Sequence, residues 1–149
     1  MKTQSPVLLA LLLLIFLLLT VSTNVVADSD GVKFHYSPAE ESLSGKIFER
    51  TFAGPPNYHS VRRGDLPEHV LLLVLAKPIY VSALAADQEN ETAKKVKEVQ
   101  LVFVDGPQYQ EVRHFVSRQL IVTGKMFSAQ SGHHHTKVLM EVVGIRLAE

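Results

Sequence analysis

The hydrophobic positions of the chain fall into two regimes. Residues 7–19 form one unbroken apolar run, VLLALLLLIFLLL, behind Lys2 and ahead of the polar Ser22, Thr23 and Asn24. A core of about 13 apolar residues after a positive charge has the length of a signal peptide and falls short of the roughly 20 that span a bilayer. Val25 and Ala27 stand three and one positions before Asp28, the spacing of small or short residues that a signal peptidase reads. Cleavage is therefore expected after Ala27, with residues 1–27 as a leader and no stable membrane anchor afterwards.

Beyond the leader the apolar residues are interrupted at short intervals. Residues 28–42 are polar without a period and predict a flexible tail, so the folded domain is expected over residues 43–149. Residues 43–52 alternate, Leu43, Gly45 and Ile47 on one parity and Phe48 and Phe52 on the other, which predicts a strand. Residues 53–69 are rich in Pro, Gly, Asn and Asp and predict a long loop. A second strand follows at 70–81, with Pro78 marking a bulge or an edge. After a polar stretch at 83–95, residues 96–104 (VKEVQLVFV) predict a third strand. Asp105-Gly106-Pro107 is a turn that opens a helix, because Pro suits the first helical position. Tyr109, Val112 and Val116 then recur at helical spacing.

A fourth strand is predicted at 119–128. A fifth starts at the histidine block 133–135 and ends near Leu147. Five strands with a helix between the third and fourth is the order of an OB-fold, a small Greek-key barrel. The mid-strand glycines 45 and 124 suit its bends. A β-sandwich with a surface helix is the competing architecture. Phe48, Phe52, Phe103, Phe115 and Phe127 are expected in its core.

Composition narrows the picture. The chain has 15 basic and 15 acidic residues, and removing Lys2 with the leader leaves 14 against 15. Such a balance carries no footprint for unspecific nucleic-acid binding. Zero cysteines exclude a lipoprotein anchor, thiol catalysis and cysteine zinc sites, and leave the hydrophobic core to hold the domain together. Asn90-Glu91-Thr92 matches a glycosylation sequon, a coincidence if the chain is bacterial.

Several motifs together resemble a bacterial family known as domain of unknown function 4431. They are Gly-Pro-Pro-Asn-Tyr at 54–58, Gly64-Asp65, Lys77-Pro78-Ile79, Val99-Gln100-Leu101, Val122-Thr123-Gly124 and Gly-His-His-His-Thr at 132–136, followed by Val138-Leu139. The resemblance runs from about Gly45 to Ile145. It implies bacterial export and a shared fold, and it implies no activity.

Two loops hold the candidate chemistry. The first carries Tyr58, Arg62 and Asp65, and the second carries His133, His134, His135 and Thr136. In an OB-fold the loops between strands one and two and between strands four and five flank the ligand face, so these two groups are expected to meet there. Strand alternation would put His133 and His135 on one face and His134 on the other. Two imidazoles on one face are half of a zinc or copper site, with His59, His69 or Asp65 as further ligands. The plainer reading is that the histidines order a loop and that Asp65 caps a turn.

No nucleophile elbow, paired-carboxylate signature or phosphate loop is present. The expected function is an exported, periplasmic or extracellular, non-catalytic binding module for a glycan, a peptide or an envelope protein. A metal-binding protein or metal-dependent enzyme, and an inhibitor or immunity-type protein directed at an envelope partner, are the alternatives.

Overall fold

The computed structural model describes residues 33–148, and the leader reading, residues 1–27, lies outside them. The described chain is mostly β. In order it runs β1 (Lys33–His35), β2 (Glu40–Ala53), β3 (Pro67–Ser82), β4 (Ala93–Val102), α1 (Gly106–Arg113), β5 (Gln119–Ser128) and β6 (Val138–Leu147). The strands lie in the order β1-β3-β2-β5-β6-β4, and a further pairing of β3 with β4 joins five of them in a ring. Neighbours in the ring are antiparallel except β4 and β6, which are parallel. Among the described residues no helix is long and apolar enough to cross a membrane.

Alternation decides which side chains enter the ring. Leu43, Ile47, Leu71, Leu73, Val99, Leu120, Val122, Met126, Val138 and Met140 pack inside it. Burying a side chain of this size contributes roughly 1.5–3 kcal/mol. The short α1 closes over this core with Val112 buried and Tyr109 packed against it. It starts where the turn signal places it: Asp105 accepts a hydrogen bond from the Gln108 N–H at 2.8 Å, and Pro107 needs no donor there. At Gly124 a Cβ would lie 2.1 Å from the Glu141 carbonyl oxygen, so only glycine lets β5 approach β6 this closely.

The structure corrects several expectations. Residues 33–42 are not a tail. Lys33–His35 pairs in parallel with Tyr80–Ser82, and β2 begins at Glu40. The aromatic residues anchor this segment: Tyr36 is buried, its hydroxyl donates to the Glu91 carbonyl at 2.8 Å, and Phe34 packs on the core. The polar start of β2 hides its pairing, since the Ser42 hydroxyl meets the Thr123 hydroxyl at 2.7 Å on the exposed side of the sheet.

The predicted fifth strand begins later than expected, at Val138, and the histidine block lies in the turn before it. The phenylalanines divide as well. Phe103 and Phe115 pack on the core. Phe48, Phe52 and Phe127 have the opposite parity to Ile47 and Met126 and stand on the outer face.

That outer face carries a continuous row. Phe48 pairs with Leu72, Leu72 with Gln100, Gln100 with Leu139 and Leu139 with Phe127, so every ring strand contributes one residue. Leu72 and Leu139 are fully buried although they face away from the core, because side chains and a loop cover them. Arg50 on β2 and Glu98 on β4 form two 2.8 Å hydrogen bonds across β3 at the level of Leu72. The histidine loop covers the rest.

Candidate functional site

Loop 54–66 is held by one carboxylate. Asp65 is buried, and its oxygens accept from the backbone N–H groups of Asn57, His59 and Ser60 and from the Asn57 amide, at 2.7–3.0 Å. These donors, the Ser60 N–H foremost, hold its pKa down to about 2 from the usual 3.8. One turn of 3-10 helix, Val61–Arg63, follows Ser60 and ends at Gly64, whose φ of 108° suits glycine. Asp65 thus acts as an internal cap. Arg62 stands exposed on that turn and enters none of these bonds.

Tyr58 and the histidines do meet. The Tyr58 hydroxyl lies 3.0 Å from His133 Nε2. His133 Nδ1 lies 2.5 Å from Glu68 Oε1, and His135 Nε2 lies 2.8 Å from Glu68 Oε2. One carboxylate at the start of β3 therefore holds both imidazoles. In the tautomer that carries its proton on Nδ1 towards Glu68, His133 accepts at Nε2 from the tyrosine. Burial raises the Glu68 pKa, but hydrogen bonds from His135 and His133 outweigh it and keep the carboxyl below its ordinary value. His135 stacks flat on Phe52, with ring centroids 4.3 Å apart and an interplanar angle of 2°. Its side chain is 9% exposed, against 60% for His133. The outer histidine is the one solvent can reach.

Gln100 fixes the loop from below. Its Oε1 accepts from the His135 N–H at 2.7 Å, and its Nε2 donates to the His133 carbonyl at 2.9 Å. The Thr136 hydroxyl accepts from the Gln100 N–H at 3.1 Å and donates to the Val138 carbonyl at 2.7 Å. His134 turns the other way. Its Nδ1 accepts from the Gln130 N–H at 2.8 Å, and its ring meets Phe127 edge-on at 5.5 Å. Burial, then the neighbouring His133 and His135, hold its pKa below 6.5. His133 and His135 thus share a partner and His134 opposes them, as alternation anticipated, although the segment is a turn.

Two glycines make the junction possible. A Cβ at Gly132 would lie 2.9 Å from the Tyr58 ring, and one at Gly54 would lie 2.6 Å from the Glu68 side chain. The Gly-Pro-Pro-Asn-Tyr and Gly-His-His-His-Thr motifs are two halves of one contact.

The other candidate metal ligands lie elsewhere. His59 gives its backbone N–H to Asp65, and His69 Nδ1 sits 2.9 Å from the Thr51 hydroxyl. Among the described residues no group of three or more histidine, aspartate or glutamate side chains is placed to hold a metal ion. Glu68, Gln100 and Phe52 were not among the site residues the sequence suggested. Gln100 had a signal, as a polar residue amid the apolar run of a strand. Glu68 had none, because it fell in what read as loop.

Residues 98–146 match the model of the family described as domain of unknown function (DUF4431). This is the family the motifs resemble, over a narrower range that includes the histidine block and Gln100. No curated protein matches the chain.

Proposed function

We propose that the protein is an exported, non-catalytic binding module built as an OB-fold-like five-stranded barrel, which meets its ligand where loops 54–66 and 129–137 join. The pairing of the five ring strands and the helix between the third and fourth of them support the barrel reading. In that fold the loops after the first and fourth barrel strands flank the ligand face, and here those are the two joined loops.

The observation that carries the reading is the Tyr58–Glu68–His133–His135 cluster. It locks together two loops far apart in sequence and leaves His133 and the Val61–Arg63 turn facing solvent. A contact surface fixed before binding loses little conformational entropy when the ligand arrives. The leader supports export.

Photo-cross-linking in the exporting cell tests it. A photoreactive phenylalanine in place of Val61 is expected to give a discrete adduct that the same probe in place of Leu84, another exposed aliphatic, does not. Gly132→Val, which forces the junction apart, is expected to abolish the adduct. Equal labelling from both positions, or an adduct indifferent to Gly132→Val, removes the reading. N-terminal sequencing of the exported protein is expected to begin at Asp28.

A further inference from the structure

We propose that the groove between β4 and the β5–β6 loop is a binding site for an acidic glycan, with Lys94, Lys95, Lys97 and Lys137 as its ligand-facing cations. The groove follows from an irregularity in β4. Ile79 pairs with Val96 and Val81 with Ala93, so β4 has one residue more than β3 over this stretch. Lys95 takes up the extra residue with a φ of 55°. In a regular strand, neighbours point to opposite faces. With the bulge, Ala93 and Val96 both turn into the core while Lys94 and Lys95 both stay outside. Lys97 follows on the same side. Three of four consecutive residues therefore present ammonium groups outward from one strand.

These side chains and Lys137 of the facing loop line a cavity of about 390 Å³, with Thr136 and His135 along its wall. Among the described residues none of the four lysines has a carboxylate within 4.0 Å, since every ion pair there involves arginine or histidine. Glu98 also borders the cavity, but both its oxygens are taken by Arg50. An adjoining cavity of about 560 Å³ shares Lys94 and Lys137 and adds Glu89 and Glu91, so the positive charge is concentrated on the histidine side.

Four like charges around one concavity repel one another and attract an anion with several charged groups. That concentration stands out in a chain whose charges balance overall. No Phe, Tyr or Trp lines the groove, and the one ring on its wall, His135, is already stacked on Phe52, so nucleic-acid bases would find little to stack on. Sulfate, phosphate or carboxylate groups spaced along a saccharide need only the ammonium groups and the threonine hydroxyl. The groove shares His135 with the Glu68 contact, but its four lysines take no part in that contact, and the proposal does not depend on the contact's being a ligand surface.

The test uses the full chain purified from exporting cells, with heparin as the probe and single-stranded DNA of matched length as the competing polyanion. Heparin affinity is expected to fall about tenfold or more in Lys94→Glu/Lys97→Glu, and to fall steeply with added salt in the parent protein. Lys94→Gln/Lys97→Gln, which removes charge without reversing it, is expected to lose less. Lys46→Glu, which reverses an exposed charge on β2 away from the groove, is expected to bind heparin as the parent does. Absence of heparin binding, affinity unchanged in both lysine variants, or DNA binding as tight as heparin binding would overturn the proposal. Circular dichroism of each variant separates loss of binding from loss of fold.

Discussion

Two adjoining stretches of surface share His135 and Thr136 and treat charge in opposite ways. In the loop junction both carboxylates are saturated: Asp65 takes four donors and Glu68 takes two imidazoles. In the β4 groove, a few residues away, four ammonium groups have no carboxylate partner among the described residues, and only Lys94 has an aromatic neighbour, the Tyr80 ring at 5.7 Å. The first arrangement holds the loops in place. The second leaves charge free on a surface the first has fixed. A motif dense in unusual residues, such as the histidine block, can therefore be largely structural, while the chemistry left open to a ligand sits in an unremarkable lysine run.

Mutations can break this contrast from either side, and the largest effect is expected at Asp65. Asp65→Ala orphans three backbone N–H groups at once, so the melting temperature should fall on the order of 5–10 °C. Because its folded pKa of about 2 lies below the ordinary 3.8, its stabilisation is complete above about pH 4. It is lost as pH falls towards 2, and urea titrations of Asp65→Asn across that window should show a weaker pH dependence than the parent. An unchanged melting point would mean that the loop is held by something else.

Glu68→Gln should cost about 1–3 kcal/mol in chemical denaturation, since one imidazole loses its acceptor while the shape is kept. A smaller slope is expected from His134. Its lowered pKa favours the neutral ring in the fold, so its contribution is present above pH 6.5 and declines as pH falls. His134→Gln should flatten stability between pH 7 and 5. Smallest of all, Lys94→Gln/Lys97→Gln should leave stability within about 0.5 kcal/mol of the parent or raise it slightly. A clear loss there would show that the lysines support the fold, and the contrast would disappear.

The strands were legible because their inner residues alternate. β5 was predicted at the bounds it has, and the helix start was written in Asp105 and Pro107. What the sequence concealed depends on partners far along the chain. Lys33–His35 is a strand only because Tyr80–Ser82 lies alongside it. Residues 93–95 read as loop because the bulge at Lys95 breaks the alternation that marks a strand. The meeting of Tyr58 with His133 was anticipated only through the expected strand order. Glu68, which joins them, is one of 15 acidic residues and distinguished by nothing local.

One side chain in this molecule imitates a backbone. A strand lying beside residues 133–135 would offer a donor to the carbonyl of His133 and an acceptor to the N–H of His135, the two groups that flank a paired residue in a ladder. Gln100 offers both from its carboxamide. The sheet thereby extends a rung through a side chain and grips a turn that has no strand of its own. Reach matters at such a rung as much as polarity. Asparagine carries the same amide on a stem one methylene shorter, and is expected to release the turn almost as completely as leucine would.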